Sequence, residues 1–319
     1  MDNYKLISAK NLKELTKPNI GKTLLQIFTD YISIAFFIWA ALYFSNVFTS
    51  VLMMCLIGAR QQGLGIIGHD SVHYRMSKNR FINDAMANLF IFFPLWTSLK
   101  DVRKRHLQHH QHTNTDNDPD YINKKHNIEF KFPQSKGTFI KNVIKYIFGL
   151  HFIGILFDKE YTIKNKLMYL YRGLTAGKRV ENVNYTPSCT EKILCLLFNL
   201  CILSMLWYNG WLLQYFIFWI LPHILYVPFL IRIRGINEHF GIKKDQIEAS
   251  RTMYPTWFDE LVLGISWNIS YHLDHHLFPS VPSYNLRKLH KLLLQNKEFI
   301  EKAQITKNGT FGVFKECTI

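Results

Sequence analysis

Two stretches of this chain carry no Asp, Glu, Lys or Arg: 29 residues between Asp30 and Arg60, and 39 between Lys192 and Arg232. A membrane-crossing helix needs about 20 mostly apolar residues. The longer stretch therefore reads as a helical hairpin turning near Asn209-Gly210, and the shorter as a second hairpin turning near Ser45-Asn46. The pattern predicts four transmembrane helices, near 24–44, 47–67, 193–209 and 211–231, with the first pair extending into Lys22 to Thr29 and Gln61 to Gly68. Buried helices of a large soluble protein are a poor account of a 39-residue run this rich in Leu, Ile, Phe and Trp.

The shorter patterns fill in the rest. Residues 1–22 read as an arm with Leu6, Ile7, Leu12 and Leu15 on one helical side. Ala85 to Leu99 is uncharged, contains Pro94 and is too short to span, so it reads as an interfacial or re-entrant segment. Thr113 to Lys192 is polar and opens on the turn-rich run Asn114 to Asp120. Within it, Thr138 to Phe157 sets Ile140, Val143, Ile144, Ile147 and Phe148 against Lys141 and Lys145, which suits the membrane surface or a packed cap equally. The expected division is an arm (1–22), a membrane-bound domain (23–295) whose cap comprises 68–192 and 232–295, and a helical, basic tail (296–319). The expected class is an all-α integral membrane protein.

Charge gives the orientation. Lys5, Lys10, Lys13, Lys17 and Lys22 precede the first span, and both predicted hairpin turns are uncharged. All 38 Lys and Arg then fall on one side, which the positive-inside rule makes cytoplasmic, both termini included. The net charge of +15 follows from that topology and from attraction to anionic headgroups; it also suits docking of an acidic electron-transfer protein. Nucleic acid is not an expected partner, because basic runs such as Lys100 to Arg105 flank membrane segments and match no nucleic-acid fold signature. Five Cys without a C-x-x-C spacing indicate no disulfide framework, and no cleavable signal peptide is evident.

Chemistry enters with the histidines. His69 and His73 form one cluster, His106, His109 and His110 a second, and His272, His275 and His276 a third, with His239 alone. All nine lie just beyond the predicted spans. Imidazole is the commonest side-chain metal ligand. Positions i, i+3 and i+4 share a helical face, so His69 and His73 can address one ion. In H-x-x-H-H the first His pairs with either of the others and the adjacent one points about 100° away, so such a cluster can serve two ions. Nine imidazoles exceed what one tetrahedral ion takes and suit two of higher coordination. Ligand type alone leaves Fe, Cu, Zn and Ni open. Asp70, Asp118, Asp120, Glu238 and Asp274 are placed to receive the outward N–H of a ligating imidazole. His112, His126, His151, His223 and His290 are unclustered or off-pattern and read as ordinary residues.

The runs GHDSVH (Gly68 to His73), RHLQHH (Arg105 to His110) followed by Asp118-Pro119-Asp120, and YHLDHHLFPSVP (Tyr271 to Pro282) resemble the three histidine boxes of the membrane-bound fatty acid desaturase and hydroxylase superfamily, in its desaturase branch. The resemblance covers about residues 30 to 295. It implies a di-iron centre on the cytoplasmic side of a four-helix base. The ligands would be His69, His73, His106, His109, His110, His239, His272, His275 and His276. It further implies O2 as co-substrate, an acyl chain entering from the bilayer, and electrons from a carrier of ferredoxin, rubredoxin or cytochrome b5 type. That carrier is expected to be separate, since no His-Pro-Gly-Gly signature of a fused cytochrome b5 module occurs. Some relatives hold a water on one iron with an Asn one turn before the His239 equivalent; here that position is Gly235, and Asn268 is the candidate substitute. Aromatic segments Phe90 to Trp96 and Trp257 to Trp267 are candidate channel walls.

The expected activity is introduction of a double bond into a lipid-like chain. The alternative is a hydroxylase or ketolase of the same architecture, since removal of a second hydrogen and rebound of oxygen share a first step. A metal transporter or sensor fits less well. Transporter ligands lie near the bilayer midplane, whereas these nine lie beyond the spans.

Overall fold

The computed structural model describes residues 6–121, 124, 128–147, 150, 189–242 and 247–319, and it is mostly helical. A short helix α1 (Ala9–Leu15) leads to α2 (Ile20–Phe44), which starts at Asn19, whose side chain accepts from the Lys22 N–H. The connection to α3 (Val47–Val72) is two residues long. Ser45 ends α2 in a left-handed conformation, and Asn46 caps α3 by accepting from the Thr49 N–H. After α4 (Arg80–Ala87), continued by a π turn at Asn88–Phe92, comes α5 (Leu99–His112). An amphipathic α6 (Lys136–Ile147) follows. The other long helices are α7 (Cys189–Tyr208) and α8 (Leu212–His239). Then come α9 (Trp257–Leu261), α10 (His272–Leu277), α11 (Ser283–Leu293), α12 (Lys297–Lys302) and α13 (Gly309–Cys317).

Four of these, α2, α3, α7 and α8, are long and apolar enough to cross a membrane. Their outward residues suit lipid: Phe36, Trp39, Tyr43, Phe48, Leu197, Trp207 and Phe216 are all exposed. The second half of α3, from Ile57 to Val72, is enclosed on nearly every side. Two of the helices run past the expected limits of 67 and 231, to Val72 and His239. Nothing in the helix itself stops at the hydrocarbon edge, so the segments that bear His69 and His239 are continuous with the spans. Thr138 to Phe157 is described as helix only over its first part, and His126 and His151 lie outside the described residues.

The two charges that bracket the first apolar stretch meet. Arg60 Nη1 stands 3.4 Å from Asp30 Oδ1, and Trp267 Nε1 donates to Asp30 Oδ2 at 2.8 Å. Gly63 makes the approach possible, because a Cβ there would lie 2.6 Å from Asp30 Oδ2. Polar side chains also tie the Asn88–Ser98 segment to the bundle. Asn199 Nδ2 donates to the Phe93 carbonyl, Trp219 Nε1 to that of Pro94, and Trp96 Nε1 to the Tyr215 hydroxyl.

Two features depart from an all-α protein with a separate tail. Strands β1 (Arg251–Met253) and β2 (Gln304–Thr306) pair in parallel, Thr252 opposite Ile305. Residues 296–319 are also integral to the fold. Phe299, Val313 and Cys317 are fully buried, and Asn237 Nδ2 of α8 donates to Thr310 Oγ1. Arg251, fully buried, donates to the carbonyls of Ile236, Asn237 and Gly241, which anchors β1 against the end of α8. The tail's apolar positions are interspersed with lysines and other polar residues, which hides its buried face in the sequence.

Candidate metal centre

The ends of α3 and α8, together with α5 and α10, bring all nine clustered histidines into two adjoining groups. One comprises His69, His73, His106, His110 and His275; the other comprises His109, His239, His272 and His276. Within each, one nitrogen per ring lies within 4.8 Å of all the others. The helical period accounts for the division. His106 and His110, four apart on α5, serve the first group while His109 turns to the second. On α10 the assignment is reversed: His272 and His276 serve the second group and His275 the first.

The inward atoms are Nε2. In the five-membered group His106 Nε2 lies 3.1 Å from that of His73 and 2.9 Å from that of His110, which is 2.9 Å from that of His275. His69 Nε2 is buried and has no hydrogen-bond partner. In the four-membered group His239 Nε2 lies 3.2 Å from that of His109 and 2.9 Å from that of His272, itself 3.1 Å from that of His276. Nitrogens about 2.1 Å from one ion and at right angles to each other stand about 3.0 Å apart. The observed spacing thus suits neighbouring ligands of an ion with more than four positions.

The outward nitrogens of the second group are held. His109 Nδ1 pairs with Asp118 Oδ2 at 2.9 Å, His239 Nδ1 with the Ala249 carbonyl at 3.4 Å, and His276 Nδ1 with Thr113 Oγ1 at 3.4 Å. Glu238 Oε1 lies 3.4 Å from His272 Nδ1 without hydrogen-bond alignment, and is itself held by Arg234 Nε at 2.6 Å. A proton on Nδ1 leaves the Nε2 lone pair free for a cation. Burial, with neighbouring imidazoles second, holds His106, His272, His275 and His276 well below the ordinary imidazole range and takes His110 down to about 2. These five rings are therefore neutral near pH 7, the form that binds metal.

This arrangement, two polyimidazole sites at the ends of the apolar helices α3 and α8, agrees with the sequence profile of a known family, which matches residues 23–306 and is described as fatty acid desaturase. The chain belongs to the fatty acid desaturase family. Among its desaturase relatives is the dihydrorhizobitoxine desaturase of Bradyrhizobium elkanii, 26% identical over 92% of this chain and 81% of that one. The chloroplastic omega-6 fatty acid desaturase of Glycine max is 25% identical over 75% of this chain, which spans 55% of that longer protein. The sn-1 acyl-lipid omega-3 desaturase (ferredoxin) of Nostoc sp. (strain 36) is 24% identical over 86% of this chain and 76% of its own length. With its four apolar helices, this member of the desaturase family is an integral membrane oxidoreductase.

Around the desaturase centre the expected supporting residues take different parts. Asp118 and Glu238 face imidazoles as described. Asp70 does not: both its oxygens accept from the Ser283 N–H, and Oδ2 also from Ser283 Oγ, so it secures the N-terminus of α11. Asp274 accepts from Thr252 Oγ1 and from His290 Nδ1, each at 3.0 Å. His290 is thus a buried partner of the third box and belongs to neither imidazole group; its Nε2 meets the Tyr254 hydroxyl at 3.0 Å. Asp120 pairs with Arg105. Asn268 gives its amide N–H to the Ser283 carbonyl. At Gly235 a Cβ would meet Lys124 Nζ at 3.6 Å, so an ammonium borders the place where some relatives carry an amide.

Proposed function

We propose that this protein is a membrane-bound, O2-dependent desaturase that removes two hydrogens from adjacent carbons of an acyl chain, using two iron ions held by the nine clustered imidazoles. The observation that carries this reading is the division into five and four, each group with its Nε2 atoms converging. Five ligands would come from His69, His73, His106, His110 and His275, and four from His109, His239, His272 and His276. Bound iron would supply the power to activate O2 and take hydrogen from an unactivated C–H bond. The protein's part is to keep the nine rings aimed, and to exclude water from the place where the oxidant forms. Asp118 and Glu238 orient His109 and His272.

The proposed topology is two helical hairpins, α2 with α3 and α7 with α8. The histidines, the cap and both termini lie on the cytoplasmic side, where the lysine-rich arm and loops are retained. The bilayer then delivers the chain to be oxidised, and the cytoplasm delivers a separate electron carrier. The net charge of +15 suits an acidic carrier of ferredoxin, rubredoxin or cytochrome b5 type.

Expression in a heterologous host, with lipid and metabolite mass spectrometry against a His109→Ala control, tests the reaction. Loss of two hydrogens from a product that disappears in the control is the expected result. Gain of one oxygen would transfer the assignment to a hydroxylase. Purified protein is expected to hold two irons per chain; one zinc per chain and no oxygen uptake with reductant would refute the di-iron centre.

A further inference from the structure

The row of α3 positions that holds His73 and His69 continues into the membrane span. Stepping back by fours from His73 gives His69, Gly65 and Gln61, one oblique ridge on the helix surface. His73 and His69 belong to the five-membered imidazole group. At Gly65 a Cβ would meet no atom within 4 Å among the described residues. About two turns earlier, the same side of α3 is tightly covered, since a Cβ on Gly58 would come 2.9 Å from Tyr226 and 3.7 Å from Pro222 of α8. The side of α3 that α8 covers at Gly58 is thus open around Gly65, one turn from His69. A π turn at Phe216–Ile220 and Pro222 bend α8 at this level.

Gln61 lies on the row one turn beyond the opening. It is 1% exposed, and its Nε2 donates to the Trp219 carbonyl at 2.8 Å. That carbonyl can only accept, so the amide orientation is forced and Oε1 is the free end. Oε1 is buried and has no partner. On α8, His223, the residue after Pro222 and so at the level of Gly58, has a buried Nδ1 that also lacks a partner. An unpaired buried acceptor is costly, and a donor brought by a ligand would satisfy it. A methyl-ended hydrocarbon cannot satisfy either atom.

We propose that Gln61 and His223 form a hydrogen-bonding subsite on the substrate path, reached past Gly65, for a hydroxyl or amino group of the chain being oxidised. Two helical turns separate Gln61 from His69, roughly 12 Å along the helix. The polar group thus sits several carbons from the C–H bonds that react. The preferred substrate is then a chain with a hydrogen-bond donor beyond the reacting carbons. This rests on the desaturase reading, whose place in the bilayer makes the path an acyl channel.

The test is calorimetric binding to the iron-loaded, unreduced enzyme in detergent, with a series of ω-hydroxy fatty acids of increasing length beside methyl-ended acids of equal length. At one length the hydroxy acid is expected to bind about tenfold more tightly, the worth of one satisfied buried acceptor. Gln61→Met, close in size and without the acceptor, is expected to abolish that preference, and Gly65→Leu to weaken every member of the series. Equal affinity for both acids at all lengths in the unaltered enzyme would overturn the subsite without recourse to a variant. Preference retained in Gln61→Met would overturn the role of Gln61, and unchanged binding in Gly65→Leu would overturn the route. Product analysis of the same acids separates the two ideas. Double bonds without a preference defeat the subsite alone, and a preference without double bonds defeats the desaturase reading alone.

Discussion

Asp118 shows how much one residue contributes to an imidazole's aim. Oδ2 meets His109 Nδ1 at 2.9 Å and accepts the Asn114 N–H at 2.8 Å, while Oδ1 accepts the Asp120 N–H at 2.8 Å. The carboxylate is buried and held on two sides, so it fixes both the tautomer and the ring angle of His109. Glu238 is less committed, 3.4 Å from His272 Nδ1 and shared with Arg234. Partners of ligating histidines are typically worth about 10–100-fold in metal affinity. Asp118→Ala is therefore expected near the upper end of that range and Glu238→Ala near the lower, by competition with a chelator on purified protein. Equal losses would mean that the hydrogen bond adds nothing to the charge. At this scale the sequence was legible where chemistry clusters and opaque where it pairs across the fold. The eight imidazoles of the three clusters stand out by spacing alone, whereas the singlet His239 is marked only by the resemblance. Asp70 and Asp274 sit inside the boxes yet bond to Ser283, Thr252 and His290, contacts set by tertiary packing. His290 carries no local signal; only its place on the buried side of α11, with Leu286 and Leu293, hints at enclosure.

Among the elements, the four long helices were readable because an uncharged run of that length has few other uses. Their ends were not, because charge marks where a helix leaves the apolar layer and not where its hydrogen bonding stops. The parallel pair β1 and β2 is three residues long on each side and joins segments fifty residues apart, too short and too distant for a periodic signal. Gly63 illustrates an element-scale demand that composition conceals. It lets Asp30 of α2 press against α3 while Trp267 and Arg60 bind the same carboxylate. A methyl group there would stand 2.6 Å from Asp30 Oδ2. Gly63→Ala is thus expected to lose about 1–3 kcal/mol of stability, the usual range for overpacking, despite the better helix propensity of Ala. Thermal unfolding in detergent measures it, and a midpoint at or above the unaltered protein's would show that Asp30 shifts freely. Gly65, two residues on, is the internal control. A Cβ there meets nothing, so Gly65→Ala is expected to be neutral or slightly stabilising.

At the scale of the whole molecule, the partition of nine rings into five and four was beyond reach of the sequence. In each H-x-x-H-H run the first histidine can pair with either follower, and only the facing of α5 against α10 decides between them. The structure decides for the i, i+4 pair in both runs, with opposite destinations. The same partition has a consequence for loss of single ligands. His73→Ala leaves four imidazoles in its group, namely His69, His106, His110 and His275. His239→Ala leaves three, and it removes the one ring that α8 gives to that group, which lies within 3.2 Å of two others. His239 also has no neighbour in sequence to compensate, whereas His69 lies one turn from His73 on the same helix. Metal content after dialysis is accordingly expected to fall to about half in His239→Ala, one site emptied and one kept. In His73→Ala it is expected to stay nearer the unaltered value, with affinity at that site reduced. Elemental analysis of the two purified variants distinguishes these outcomes. Loss of all metal from both would show that the two groups fill only together, and equal partial loss would show that the count of remaining imidazoles does not govern retention.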